Sequence, residues 1–195
     1  ANALKKPIRW FSIPQLCRYE RQQRGRLREH FQLNMDIIGE AGPLADAELI
    51  AAAIDIMRAL GFGPQDFKAR ISDRRVIRTL LLGYGVPEQQ LPNAVAVLDR
   101  SGRDKVEWES FAVEGGKIPW DALHGLDRAS DGLASVPGGP DSLEPLRETV
   151  KTLTAMGLGD YVEVDLTIVR GLAYYTGIVF ELFDAQRKLR AICET

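Results

Sequence analysis

The sequence predicts an α+β fold: an antiparallel sheet flanked by helices and interrupted by a mostly helical insertion. Three observations carry this. Strict apolar/polar alternation occurs near both ends, at residues 30–37 and 162–168; a helical apolar period fills 46–60; and the better-patterned stretches between 74 and 158 read as helix. Strands on both sides of a helical middle fit a sheet whose chain is interrupted by a helical module. The division expected is 1–73 and 159–195 as the two parts of the sheet-bearing core, with 74–158 inserted between them.

Residues 16–37 read as a β-hairpin. An alternating stretch at 16–21 leads into a polar turn around Gly25, and the return strand HFQLNMDII alternates strictly. Phe31, Leu33, Met35 and Ile37 fall on one face, and His30, Gln32, Asn34 and Asp36 on the other, because successive strand side chains point to opposite sides. A helix follows, with Asp46 as its N-cap, Glu48 in its first turn, apolar residues at 49, 50, 53, 54, 57 and 60, and Gly61 just past its end.

Phe67, Ala69 and Ile71 then form a short alternating strand ending in Ser72 and Asp73. RRVIRTLLLGYG, the segment 93–99 and SLEPLRETVKTLTAMG are the helical stretches of the middle, and DGLASVPGGPD reads as a Gly/Pro-rich loop. Val162, Val164, Leu166 and Ile168 alternate with Glu163, Asp165 and Thr167, then RGL interrupts before a second strand, YYTGIVFELF. The ending LRAICET reads as a strand just begun, so a fragment of a longer protein is expected.

The 195 residues suffice for one well-buried domain, and 45% hydrophobic against 27% charged residues lies in the globular range. With 25 Lys and Arg against 27 Asp and Glu, the net charge of −2 provides no general attraction for nucleic acid, so any such partner needs a local basic patch. Cys17 and Cys193 are far apart without metal-ligand spacing and read as reduced thiols of a cytoplasmic protein. No apolar run reaches the roughly 20 residues that span a bilayer.

The hairpin holds five arginines within eleven residues: Arg18, Arg21, Arg24, Arg26 and Arg28. A guanidinium is permanently charged and binds phosphate oxygens in a bidentate fork, so this cluster is a candidate clamp for a triphosphate or an RNA end. A solvated charged turn accounts for the same cluster. On the facing strand, Gln32, Asn34 and Asp36 project from one face; an amide followed by a carboxylate suits a small ligand with amino and N–H donors. The wet face of an edge hairpin explains the same alternation.

The second constellation is VRGLAYYTG. Arg170 continues the parity of the apolar set and needs an anionic partner, either an internal one (Glu163, Asp165 or Glu181) or a phosphate or carboxylate ligand. Tyr174 and Tyr175, beside Gly171 and Gly177, offer hydroxyls to a ligand or to core packing. No GxxxxGK[ST], GxGxxG after a strand, or GxSxG is present, and His30 and His124, the only histidines, show no metal-ligand spacing. An enzyme built from these residues works by positioning and electrostatic stabilisation.

CRYERQQRGRLREHFQLNMDIIG resembles motif 2 of class II aminoacyl-tRNA synthetases in its histidyl form, and IVRGLAYYTGIVFE resembles the histidine-specific signature of that family. The resemblance covers essentially the whole chain. It implies the class II synthetase-like sheet and a histidine–tRNA ligase: ATP activates histidine to histidyl-adenylate, which is passed to tRNA(His). It further implies Arg18 and Arg170 as the catalytic arginines on the α-phosphate, with Arg170 also facing the histidine carboxylate. Arg26 joins Arg18 on ATP or the tRNA end, and Gln32, Asp36, Tyr174 and Tyr175 hold histidine. Mg²⁺ enters as the counter-ion of ATP, with no metal ligand from the protein and no tightly bound cofactor.

The family also implies a homodimer when full length, and a tRNA acceptor-arm contact through the insertion, where Arg74, Arg75, Arg78, Arg100 and Arg103 supply positive charge. Ala173 stands where many members carry Asp, a subgroup mark. Motif 1, motif 3, the glycine-rich strand and the anticodon-binding domain are not in this stretch, so the fragment alone is expected to be inactive. The alternative is the family's non-catalytic regulatory subunit of histidine biosynthesis; retention of Arg18 and Arg170 argues against it.

Overall fold

The computed structural model describes residues 4–19, 27–101, 120–169, 175–186 and 191–194. Its first part is two small antiparallel ribbons. Strand β1 (Ile8–Ser12) pairs with β4 (Asn34–Ile38), and β2 (Gln15–Cys17) pairs with β3 (Glu29–Phe31). The return strand expected as one piece is therefore broken at Gln32–Leu33, and its two halves take different partners. β1 lacks alternation, which is why the pattern did not reveal it. The expected apolar face is also only partly covered: Phe31 and Leu33 are exposed, while Gln32 and Asn34 are half-buried.

Helix α1 (Pro43–Ala59) begins three residues before the expected cap. Gly42 is the N-cap and Pro43 opens the helix, where its missing N–H costs nothing, so Asp46 sits in the first turn. The Glu40 carboxylate accepts from the amides of Ala41 and Gly42 at 3.1 and 3.0 Å, which secures the chain just before the helix. Ile50, Ala53 and Ile54 form the buried stripe, and Gly61, at φ 92°, follows the helix end as expected.

Strand β5 (Phe67–Asp73) leads directly into α2 (Arg74–Gly83), whose N-cap is Asp73 accepting from Arg75 N at 2.8 Å. Next come α3 (Leu91–Ser101), α4 (Leu126–Leu133) and α5 (Gly139–Ala155). The stretch expected as one Gly/Pro-rich loop is largely helical: its start ends α4, its GGPD opens α5, and only 134–138 connect them. Gly138, at φ 71°, makes that connection short.

A four-stranded sheet closes the fold in the order β6-β5-β7-β8, with β6 (Val162–Val164), β7 (Ile178–Asp184) and β8 (Cys193–Glu194). β5 and β7, and β7 and β8, run antiparallel, whereas β5 and β6 are parallel. The register sorts the faces. Ala69 and Ile71 lie opposite Leu182 and Phe180 on the side packed against the helices, and Arg70 lies opposite Glu181 and Glu163 on the other. Leu80, Leu98, Leu143 and Leu146 from the helical middle share one hydrophobic cluster with Ile50, Ile54, Phe67 and Ile71. Among the described residues no helix is long and apolar enough to cross a membrane.

Candidate functional site

The β2–β3 ribbon brings two of the expected site residues together. Its ladder pairs Leu16 with His30, continues through Arg18 N donating to Arg28 O at 2.8 Å, and is extended at the other end by Gln32 N donating to Pro14 O at 3.1 Å. By parity Arg18 and Gln32 share a face, and Arg18 Nη2 donates to Gln32 Oε1 at 3.1 Å. Gln32 Nε2 in turn donates to Asn34 Oδ1 at 2.6 Å. The break at Gln32–Leu33 thus does not separate the polar row: a cation and two amides form one chain across it. Asp36 lies two positions further along β4, exposed and opposite Trp10.

The β1–β4 ribbon is tied to α1 by Arg9 on β1, whose guanidinium makes a bidentate pair with Glu48; the Nη2–Oε2 arm is 2.7 Å. That pair lowers the Glu48 pKa, chiefly through the hydrogen bond from Arg9, and raises that of Arg9. Cys17 is exposed and Cys193 half-buried, both free thiols.

Of the second constellation, Tyr175 is described and half-buried. Arg170 and Tyr174 lie outside the described residues, as does Arg26 of the hairpin turn. What the structure does show is how both flanks of this segment are held. After it, Gly177 O accepts from Arg74 N at 3.1 Å, and β7 begins opposite Asp73. Arg75 grips the buried Asp73 with Nη2–Oδ2 at 2.5 Å and Nε–Oδ1 at 2.9 Å, and its guanidinium stands where a side chain on Gly177 would point. The half-buried Asp46 has its pKa pushed up to about 6, by burial first, against the opposing pull of Arg75 and with a further push from Asp73.

Before the segment, two of the three internal partners considered for Arg170, Glu163 and Asp165, face Arg70. Arg70 Nη1 stands 3.4 Å from Asp165 Oδ2, and its Nε is 3.9 Å from Glu163 Oε2. The alternating strand expected through Ile168 ends at Val164, because Asp165 turns the chain by accepting from Thr167. Alternation alone gave no sign of this turn. Among the basic residues of the helical middle, Arg75 is committed to Asp73, and Arg78 pairs with Glu88. Among the described residues, no group of three or more His, Cys, Asp or Glu side chains is placed to hold a metal ion.

Comparison with known proteins agrees with this architecture. A family model described as Histidyl-tRNA synthetase matches residues 1–192. The chain is 38% identical over 200 residues to the chloroplastic/mitochondrial histidine–tRNA ligase of Arabidopsis thaliana, covering 98% of this chain and 41% of that protein. It is 39% identical over 206 residues to the histidine–tRNA ligase of Opitutus terrae, covering 98% and 47%. The chain therefore spans less than half the length of these curated relatives. Among solved structures, its fold resembles that of an ATP phosphoribosyltransferase regulatory subunit/histidyl-tRNA synthetase from Bacillus halodurans C, with a TM-score of 0.81, 22% identity, and coverage of 99% of this chain and 51% of that one. With the family model spanning nearly every residue and the fold concordant, this chain belongs to the histidyl-tRNA synthetase family.

Proposed function

We propose that this chain forms the central part of the catalytic domain of a histidine–tRNA ligase, which joins histidine to ATP as histidyl-adenylate, releases pyrophosphate, and passes the histidyl group to tRNA(His). The observation that carries the reading is the Arg18–Gln32–Asn34 chain: a permanent cation beside two amides on one face of a hairpin. Such a face suits a substrate in which an anionic phosphate adjoins an amino acid. Family membership supports histidine and ATP as the source of that substrate.

In this reading Arg18 and Arg170 stabilise charge on the α-phosphate while the histidine carboxylate attacks it. Arg26 approaches the ATP phosphates or the tRNA end. Gln32 holds the backbone polar groups of histidine, Asp36 and Tyr175 bond its imidazole nitrogens, and Tyr174 adds a hydroxyl to the same pocket. Catalysis is by positioning and electrostatic stabilisation, because the reacting phosphorus needs alignment and charge neutralisation more than covalent help. Mg²⁺ bound to ATP as its counter-ion would supply charge neutralisation to the leaving pyrophosphate, with no ligand from the protein proposed.

The three-part division at residues 73/74 and 158/159 belongs to the same proposal as a division of roles, since the helices of the middle share a core with the sheet. So do a full-length homodimer and a cytoplasmic place of action. The test is histidine-dependent ATP/pyrophosphate exchange by the full-length protein and its Arg170→Ala variant. Loss of exchange with the fold retained is expected; undiminished exchange overturns the reading. Histidine binding without ATP binding would identify the regulatory-subunit alternative instead.

A further inference from the structure

We propose that Trp10 contacts the substrate: its indole is the apolar wall of the histidine pocket, packed on the face of the imidazole whose N–H the Asp36 carboxylate accepts. The proposal rests on the ligase reading above. Register brings the two side chains together. Trp10 lies directly opposite Asp36 in the β1–β4 pair, as Ser12 lies opposite Asn34. Side chains directly opposite each other in an antiparallel pair stand on one face, with their Cβ atoms roughly 5 Å apart. The same register runs through the break into the β2–β3 ribbon, where Gln32 N donates to Pro14 O at 3.1 Å and Leu16 lies opposite His30. The face that carries Arg18, Gln32 and Asn34 therefore continues, without a change of side, to Asp36 and Trp10.

Along this face the chemistry is graded. Arg18 offers a cation at one end, then Gln32 and Asn34 two amides, Asp36 a carboxylate, and Trp10 an aromatic surface, with Ile8 and Ile38 beyond it. A histidyl-adenylate presents the matching order: an anionic phosphate, polar amino-acid groups, ring N–H donors, and the apolar faces of a planar ring. A carboxylate fixes only the edge of an imidazole. The ring faces need flat apolar surface, which an indole supplies by offset stacking, with cation–π attraction added when the imidazole is protonated.

Trp10 is accessible for this contact. It is 59% exposed, and Asp36 is exposed beside it. Helix α1 lies against the other face of the ribbon: Arg9 and Ile37, the neighbouring pair in the register, belong to that face, and Arg9 joins it to Glu48 on α1. By the same alternation Phe11 and Leu33, also exposed, point away from the polar row. An indole left in water forgoes hydrophobic stabilisation that a stacked ligand ring recovers.

The test uses the full-length protein. Trp10→Ala should raise the KM for histidine in ATP/pyrophosphate exchange about fivefold to tenfold, with the ATP KM within about twofold of the parent and the unfolding midpoint kept. Trp10→Phe, still aromatic, should hold the histidine KM within about threefold. Histidine titrated without ATP should change the tryptophan fluorescence of the parent, and Trp10→Phe should remove most of that change. A parent-like histidine KM in Trp10→Ala overturns the proposal. So do equal rises in both KM values with a lowered unfolding midpoint, which would make Trp10 a packing residue for the rest of the protein. Should Trp10→Ala fail to fold, the titration of Trp10→Phe decides, and an undiminished fluorescence change overturns the contact. Arg170→Ala is run alongside. Undiminished exchange in that variant ends the ligase reading, and the fluorescence titration then decides Trp10 by itself. Loss of exchange there, with a parent-like histidine KM in Trp10→Ala, ends the Trp10 proposal alone.

Discussion

Arg18 donates to Gln32 at 3.1 Å across the β2–β3 ribbon, which joins the cation expected on phosphate to the amide expected on histidine. The pairing predicts separable effects of the two side chains. Arg18→Ala should lower kcat for exchange by about 10²–10³, the range for removal of one charge-stabilising donor. Gln32→Ala should instead raise the histidine KM about tenfold, the equivalent of one hydrogen bond of about 1.4 kcal/mol, with a smaller change in kcat. Steady-state exchange at saturating and limiting histidine checks both, and identical effects on KM would contradict the division of labour.

Asp46 predicts a pH dependence of stability. Its folded pKa of about 6 lies above the ordinary 3.8, so the folded state holds this proton more tightly than the unfolded chain does. Stability from this group therefore falls as pH rises from about 4 to 6, and its full cost is present above that window. One pKa unit is worth about 1.4 kcal/mol, so the shift from 3.8 to about 6 corresponds to about 3 kcal/mol, which solvent screening of this half-buried group reduces; Asp46→Asn should be more stable than the parent by about 2 kcal/mol at pH 7.5, with the advantage vanishing near pH 4. Urea unfolding at the two pH values measures it. An equal difference at both would rule out titration as the cause.

Gly138 and Gly139 predict a contrast between adjacent residues. A Cβ on Gly139 would lie 2.3 Å from the carbonyl oxygen of Leu133, a backbone atom that moves only with the α4–α5 connection. Gly139→Ala should cost about 2–3 kcal/mol, although alanine is the better helix former. Gly138 has open space but φ 71°, so Gly138→Ala should cost about 1 kcal/mol from backbone strain. Chemical denaturation ranks the two, and a milder effect at Gly139 than at Gly138 would show that the connection yields.

Much of this organisation was legible in local pattern. The alternation of Phe67, Ala69 and Ile71 identified β5 and its buried face, and the apolar period after Asp46 identified the body of α1 and its end at Gly61. The arginine cluster and the polar row Gln32, Asn34 and Asp36 marked the hairpin as a candidate site, and only the resemblance to motif 2 picked out Arg18 and Gln32 within it. Where local signals competed, the pattern misled. Pro43 after Gly42 starts α1 earlier than the acidic cap expected at Asp46, and GGPD reads as a loop while opening α5. β1 carried no alternation at all.

The sequence by itself determined which side chains share a face, because strand and helix periods are set by backbone geometry within a few residues. Only the tertiary structure decided which neighbour each one meets. The return strand splits at Gln32–Leu33 because its halves are claimed by different partners, β2 and β1, and no period within the strand records a partner. Asp165, a neighbour of Arg170 in sequence, is held by Arg70, brought beside it by the parallel β5–β6 pairing across the whole helical middle. Ion pairing follows distance in space, and a crossover of that length sets the distance only once the core has formed.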